Sequence, residues 1–155
     1  MADLKTLSGE MAKLKCQIDT IMSITKYQDY DDLSGLEDFH QIKNADDRQQ
    51  LEEYRKILQR LDEVHSTLAY YEHPVREVSR LRRNEQGRYE TERGHYYTSG
   101  SGIEFLRVEE IYDSENDRWR EEGIWTVSTV EHNGKNYYIV GYPKVVLPGL
   151  EVRVR

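Results

Sequence analysis

The residue types that could carry chemistry are scattered along this chain and do not fall at the spacings that catalysis or metal binding requires. The histidines are His40, His65, His73, His95 and His132. No two of them lie one helical turn apart, the spacing of a helical zinc site. Cys16 is the only cysteine, so no internal disulfide can form and a reducing, cytoplasmic location is expected. These observations predict neither a metal nor a cofactor.

Motifs typical of enzymes are also absent from the sequence. No glycine-rich phosphate loop follows a strand pattern, and no serine elbow is present. Carboxylates abound in an acidic chain and carry no specificity by themselves. We therefore expect a protein without enzymatic activity. No apolar run approaches the roughly 20 residues of a membrane span, and the start Met1-Ala2-Asp3 lacks a signal peptide pattern, so no membrane partner is expected.

One segment, between residues 27 and 43, combines acidic and aromatic side chains. Its candidate binding residues are Tyr27, Asp29, Tyr30, Asp31, Asp32, Glu37, Asp38 and Phe39. One interpretation is a solvated loop anchored by Leu33, Leu36 and Phe39. The other is a surface that docks onto a basic protein partner by imitating a run of phosphates. An EF-hand calcium loop is disfavoured because its ligand and glycine positions are missing.

A second candidate lies in the charged stretch Glu109 to Gly123, which is predicted to be a long loop. Trp119 is flanked there by Arg118 and Arg120. It either folds back on the protein or serves as an exposed recognition anchor. Trp125, by contrast, begins a strand pattern and is expected in the core.

A third candidate would serve an alternative function, the binding of nucleic acid. Its residues are Arg80, Arg82, Arg83, Tyr89, Tyr96 and Tyr97. Arginines interleaved with aromatic rings can hold a single strand by charge and stacking. The competing interpretation is a strand whose outer face is covered by salt bridges, since glutamates dilute the arginines.

The elements that must position these residues change type near His73-Pro74. Before that point, apolar residues recur every three or four positions, in two stripes of coiled-coil type. The first stripe is Leu4, Leu7, Met11, Leu14, Ile18 and Ile21; the second is Leu51, Tyr54, Leu58, Leu61 and Leu68, with His65 at the missing step. The pattern predicts an antiparallel helical hairpin over residues 1–74.

An apolar flank widens the second helix beyond its stripe. Ile57, Val64 and Tyr71 lie along one side and need cover. They pack either on the C-terminal part of the chain or on another copy, so a homodimer through the helices is one expectation.

After His73-Pro74 the apolar residues alternate, as on strands. Asn133-Gly134 predicts a hairpin with a two-residue turn, and Leu150, Val152 and Val154 alternate with charged residues. Five or six short antiparallel strands in residues 75–155 predict a small SH3-like β-barrel. The expected fold class is therefore α+β.

Charge follows the same division. Up to Val75 there are 9 Lys and Arg against 15 Asp and Glu, a net charge of −6, whereas the remainder has 13 against 14, a net charge of −1. An acidic half disfavours phosphate binding and suits a partner with a basic surface.

The C-terminal half resembles a known family in three stretches. They are Asn84 to Glu90, Trp125 to Gly141, and Leu147 to Arg155. These stretches resemble DUF5348, a family of unknown function that is associated with Firmicutes and their mobile elements. The resemblance covers roughly the last 75 residues and implies no activity, cofactor or catalytic residue. The Glu109–Gly123 stretch is longer than the family pattern, and Ser99-Gly-Ser-Gly102 is richer in glycine.

The expectation that follows is an interaction protein. Its narrow form is a mobile-element or phage accessory that inhibits a host nucleic-acid enzyme, in the manner of an anti-CRISPR protein bound to a CRISPR effector nuclease. The alternative expectation is a nucleic-acid-binding accessory protein.

Overall fold

The computed structural model describes residues 3–28 and 33–155. The chain divides into two compact units, Met1–His73 and Pro74–Arg155. The first contains helix α1 (Leu4–Thr25) and helix α2 (Ala45–Glu72). Asp3 caps α1 by accepting from the backbone N–H of Thr6 at 2.7 Å, and Asn44 caps α2 by accepting from that of Asp47 at 2.8 Å.

The two helices form an antiparallel hairpin, as the heptad pattern predicts. His65 Nε2 lies 2.6 Å from Asp19 Oδ1, and Lys15 Nζ lies 3.3 Å from Glu72 Oε2. Earlier residues of α1 therefore meet later residues of α2. Only Ile18 and Leu58 are fully buried among the described helical residues. The remaining apolar residues of the stripes are partly or largely exposed, which is more than a coiled-coil seam predicts.

The interhelical segment is anchored by an apolar residue in its described part. Leu33 is buried, with a left-handed φ of 64°, and Leu36 and Phe39 are half-buried. A short 3-10 helix, Phe39–Gln41, precedes α2. This arrangement fits the interpretation of a loop with a short helical turn.

The second unit is built from eight strands. They are β1 (Glu77–Arg80), β2 (Arg82–Arg83), β3 (Tyr89–Glu90), β4 (Tyr96–Tyr97), β5 (Gly102–Asp113), β6 (Arg118–His132), β7 (Tyr137–Ile139) and β8 (Glu151–Val154). One sheet has the order β1-β8-β5-β6-β7 and the other the order β2-β3-β4. All described pairings are antiparallel.

Both sheets contribute to one hydrophobic core. Ile103 and Phe105 of β5, Val130 of β6, Val152 of β8 and Tyr97 of β4 are buried together. On β5 these core residues lie on one face of the sheet and Glu104 lies on the other, because successive side chains of a strand point to opposite sides. The face that contains Ile103 and Phe105 is called the inner face below, and the opposite one the outer face.

Three features differ from the sequence-based expectations. There are eight strands, some of only two residues, where five or six were expected. The pairings of the described residues leave both sheets with ends and include no closed barrel. The stretch Glu109 to Gly123 is not a long loop, because β5 and β6 pair as far as Asp113 and Arg118.

The hairpin at Asn133-Gly134 is present with a longer turn. His132 pairs with Tyr137, so four residues lie between the paired positions. Asn133 Oδ1 accepts from the backbone N–H groups of Lys135 and Asn136, and Gly134 adopts a positive φ of 91°. Among the described residues, no helix has both the length and the apolar character that crossing a membrane requires.

Candidate interaction surface

The outer part of the β5–β6 pair extends past its neighbouring strands. β8 pairs with β5 only at Glu104 and Phe105, and β7 pairs with β6 only from Val130 to His132. Residues 107–124 therefore pair only with each other among the described strands, and we call them the ribbon. The ribbon contains three arginines and seven carboxylates, a net charge of −4.

The register places aromatic and apolar side chains on the outer face of the ribbon. Tyr112 lies directly opposite Trp119, and Val108 lies opposite Gly123. The exposed fractions are 67% for Trp119, 60% for Val108 and 48% for Tyr112. The rings of Tyr112 and Trp119 have centroids 5.3 Å apart. Trp119 is thus an exposed strand residue, which favours the interpretation as a recognition anchor over the one in which it folds back.

The tip of the ribbon is held by two aspartates. Asp113 Oδ1 accepts from the backbone N–H groups of Glu115 and Asn116, and its Oδ2 accepts from the side chain of Asn116 at 2.9 Å. The Tyr112 hydroxyl donates to Asp117, which adopts a positive φ of 50°. These contacts fix the turn between the two strands and so the position of Trp119.

The pKa values of the tip follow from these hydrogen bonds. The side chain and backbone of Asn116 stabilise the charged form of Asp113 and lower its pKa below 3.8, although desolvation opposes the shift. Donation to Asp117 stabilises the neutral form of Tyr112 and raises its pKa above 10.

Acid is expected to open the ribbon tip at a pH below the ordinary aspartate range. Because the folded pKa of Asp113 is lowered, its contribution to stability is present above 3.8 and is lost as the pH falls through the lowered value. The indole resonance of Trp119, followed by NMR from pH 6 downwards, should therefore show a titration step that is centred below 3.8. In Asp113→Ala this step should vanish. A step of unchanged size and position in that variant would contradict the assignment.

Two pairs of like-charged residues lie directly opposite each other in the middle of the ribbon. Glu109 faces Glu122 on the inner face, and Glu110 faces Glu121 on the outer face. Cross-strand pairs of like charge are destabilising. The two pairs occupy adjacent positions along the strands, so four carboxylates crowd this part of the ribbon.

The inner pair is neutralised by the protein itself. Arg107 contacts Glu109, and Arg120 Nη2 lies 2.7 Å from Glu122 Oε1. The outer pair is different: neither Glu110 nor Glu121 forms an ion pair or hydrogen bond with a side chain within residues 3–28 and 33–155. Both are exposed. The outer face therefore combines uncompensated negative charge with exposed aromatic rings.

At the base of the outer face lies a buried carboxylate. Glu104 is 2% exposed. It accepts from Arg153, and Arg155 Nε donates to its Oε2 at 3.0 Å. The Arg153 guanidinium also lies 4.5 Å from the ring centroid of Trp125. Trp125, expected in the core, is half-buried and belongs to the outer face.

The sequence contains the charged residues of this cluster at alternating strand positions, but periodicity alone does not predict that they form a cluster. A glutamate stands between Ile103 and Phe105, and two arginines alternate with Val152 and Val154. The alternation predicts that all three charged residues lie on a solvent-exposed face. It does not predict that Arg153 and Arg155 bury Glu104 between them and the sheet.

Only three of the six alternative nucleic-acid residues, Arg82, Arg83 and Tyr96, line a common groove. Tyr97 is 1% exposed and belongs to the core, and Tyr89 is half-buried against it. Arg80, Arg82 and Arg83 are exposed, although Arg82 pairs with Glu90 at 3.1 Å. Tyr96 remains exposed, with the Arg88 guanidinium 5.4 Å from its ring centroid.

The acidic and aromatic interhelical residues are described only in part. Asp29, Tyr30, Asp31 and Asp32 lie outside the described residues. Glu37 and Asp38 are exposed, whereas Tyr27 and Phe39 are half-buried. Within the described ranges, no group of three or more His, Cys, Asp or Glu side chains is placed to hold a metal ion.

Comparison with known proteins assigns a family to the second unit only. Residues 79–154 match the family model described as Domain of unknown function (DUF5348). The match begins within β1 and ends with β8, and it confirms the resemblance seen in the C-terminal half. No curated protein and no solved structure matched the chain.

Proposed function

We propose that this chain, whose C-terminal unit carries a DUF5348 domain, acts without catalysis by binding a basic segment of a protein partner on the outer face of the ribbon. The observation that carries the proposal is the uncompensated Glu110–Glu121 pair beside exposed Trp119 and Tyr112. The occupant is a segment that presents arginine or lysine together with an apolar side chain.

The inner face of the same ribbon supplies the argument for this occupant. There, an equivalent glutamate pair is neutralised by Arg107 and Arg120. The outer pair lacks such cations, so repulsion of roughly 0.2–1 kcal/mol persists in the free protein. A partner's guanidinium would remove that repulsion and could also lie against an aromatic ring. Exposed Val108, which is next to Glu110 on the outer face, offers an apolar contact to the same segment.

The narrower form of the proposal is an inhibitor of a host nucleic-acid enzyme, of the anti-CRISPR type, with a CRISPR effector nuclease as partner. Its support is the charge of the ribbon, −4 over residues 107–124, which suits a basic channel that normally holds nucleic acid. The mobile-element context implied by the family resemblance points the same way. An acidic interhelical segment would then provide a second contact.

The proposal includes an expectation about the fold of the second unit and an expectation about the location of the protein in the cell. An SH3-like arrangement of the second unit is supported by the core that the two sheets share. A cytoplasmic location is supported by the single cysteine, Cys16, which is exposed and unpaired with another cysteine.

A peptide titration observed by NMR tests the proposal. The probe is a peptide of about twelve residues in which arginine alternates with valine, and the control replaces its arginines by glutamate. The chain has two tryptophans, so Trp119 and Trp125 give one indole resonance each. The arginine peptide should shift the Trp119 resonance more than that of Trp125, and the glutamate peptide should shift neither. An unperturbed Trp119 at millimolar arginine peptide would overturn the proposal.

Variants that remove negative charge distinguish the ribbon from the interhelical segment as the binding site. Glu110→Gln with Glu121→Gln should weaken peptide binding at least about tenfold, because the cation loses its partners. The matched comparison neutralises Asp29, Asp31, Asp32, Glu37 and Asp38 and should leave the affinity almost unchanged, because these residues are not part of the ribbon. The opposite ranking, measured by isothermal titration calorimetry, would move the site to the interhelical segment.

The alternative function, nucleic-acid binding, is favoured by one observation. A groove of about 500 Å³ is lined by Arg82, Arg83 and Tyr96, although Glu85 and Glu90 also line it. A strand bound there would stack a base on Tyr96 and would lose affinity steeply with salt. We expect labelled oligothymidine at low salt to show no anisotropy change at micromolar protein. Binding that disappears in Arg82→Ala with Arg83→Ala would establish the alternative.

A further inference from the structure

The helical unit leaves a continuous apolar side without cover. Ile57, Val64 and Tyr71 follow one another at seven-residue intervals on α2, and all three are exposed. On α1, Leu7 and Ile21 belong to one such row and are also exposed. The interval of seven residues keeps each row on one side of its helix.

Helix geometry places the rows of α1 and α2 on the same side of the hairpin. On the helical wheel of each helix, viewed from its N-terminus, the exposed row is displaced in the same rotational sense from the buried residue, which is Ile18 on α1 and Leu58 on α2. Because the helices are antiparallel and face each other through these buried residues, displacements of the same sense bring both rows to the same side of the hairpin. At one end, a groove of about 420 Å³ opens between Leu7 and Met11 of α1 and Leu68 and Tyr71 of α2.

The interhelical contact also contains ion pairs. Asp19 contacts His65, and Lys15 Nζ lies 3.6 Å from Asp19 Oδ2 and 3.3 Å from Glu72 Oε2. His65 and Glu72 follow Leu58 at seven-residue intervals, so these ion pairs extend the buried seam of α2, and the Lys15–Glu72 pair lies at the groove beside Leu7 and Tyr71. The exposed rows lie next to this seam, and an exposed apolar side of this kind is typical of helices that continue into a larger bundle.

The size of the apolar side is sufficient for a stable interface. Its largest exposed apolar side chains are Leu4, Leu7, Met11, Ile21, Ile24, Tyr54, Ile57, Val64 and Tyr71. With about half of each side chain exposed, they approach the roughly 800 Å² per partner of a standard protein interface.

The charge of the helical unit indicates which kind of partner covers this apolar side. The first unit has a net charge of −6, yet the apolar rows contain no charged residue. Several charges at their borders are paired, Lys13 with Glu10, Lys56 with Glu53 and Lys15 with Glu72. The rows themselves offer no charge to a basic partner, and a second copy presents the same uncharged rows.

We propose that two copies of the chain pair through these apolar rows and form a four-helix bundle that buries Ile57, Val64 and Tyr71. The assembly is isologous, since the same side of each copy contributes. It carries two ribbons, so a partner with two basic segments gains from avidity. The pairing does not depend on the function proposed for the ribbon.

Sedimentation equilibrium on the full chain tests the pairing. The wild type should have twice its 18.4 kDa mass at micromolar concentration. Ile57→Glu with Val64→Glu should be monomeric, whereas Gln59→Glu with Ser66→Glu, which adds equal charge to the polar side, should remain dimeric. A milder variant, Ile57→Ala with Val64→Ala, preserves helix propensity and should raise the dimer dissociation constant at least about tenfold.

Circular dichroism confirms that each variant stays helical before its mass is interpreted. A wild type that stays monomeric up to about 100 µM would overturn the proposal, including the case in which the chain covers these rows itself. An alanine variant with an unchanged dissociation constant would overturn it as well. Neutralising Glu110 and Glu121 should leave the dimer mass unchanged, so failure of one proposal is distinguishable from failure of the other.

Discussion

Replacement of Trp119 by alanine is expected to weaken binding of the arginine peptide by about 2 kcal/mol, close to thirtyfold, with little loss of folding stability. The indole is 67% exposed, so its burial contributes little to folding. Its ring contact with Tyr112 is a cross-strand pair worth at most about 1 kcal/mol. In a complex the same indole would be buried against the partner's cation and apolar side chain.

The control for this variant is Tyr138→Ala, which removes an exposed aromatic residue from β7, outside the ribbon. Calorimetric titration should give the same peptide affinity for Tyr138→Ala as for the wild type. Equal loss in both variants would indicate non-specific aromatic adsorption. An unchanged affinity in Trp119→Ala would remove this residue from the binding surface.

The largest effect on stability is expected at Glu104. Glu104→Gln removes the charge that two arginines share, and it leaves Arg153 and Arg155 close together with little access to water. Breaking a buried ion pair by removing one partner typically costs about 3–5 kcal/mol. Urea denaturation followed by far-UV circular dichroism should show that loss in the free energy of unfolding.

The same substitution six residues further along the strand should have the opposite sign. Glu110→Gln relieves the repulsion from Glu121 and should stabilise the chain by up to about 1 kcal/mol. The two variants share their chemistry and their strand, and they differ in whether arginines surround the carboxylate. Destabilisation of equal size in both would mean that the ion pairs of Glu104 contribute little.

The helical and strand halves could be predicted from periodicity because each buries one side of its elements. Ile18 and Leu58 occupy predicted stripe positions, and Val152 occupies a predicted inward strand position. The family resemblance of the C-terminal half was visible in the sequence for a similar reason: its turns, such as Asn133-Gly134, require particular residues.

The ribbon could not be predicted from periodicity because neither of its faces is covered along its whole length. Charged residues such as Glu109 and Glu110 follow one another there, so the alternation that marks a half-buried strand is lost. Only the register shows that Glu110 faces Glu121 and that Tyr112 faces Trp119. Only part of the site could therefore be predicted from the sequence. Trp119 was a candidate because of its residue type, whereas Glu110 and Glu121 were identified only from the strand register.

The peptide affinity of Glu110→Arg tests the central claim most directly. The new arginine would face Glu121 and neutralise the outer pair internally, as Arg107 and Arg120 neutralise the inner one. The matched control is Glu115→Arg, which makes the same charge change at the exposed tip.

For Glu110→Arg we expect the arginine peptide to lose at least about tenfold in affinity, in a chain at least as stable to urea as the wild type, while Glu115→Arg binds nearly normally. Wild-type affinity in Glu110→Arg, or an equal loss in both variants, would contradict the assignment of the outer face as the binding surface.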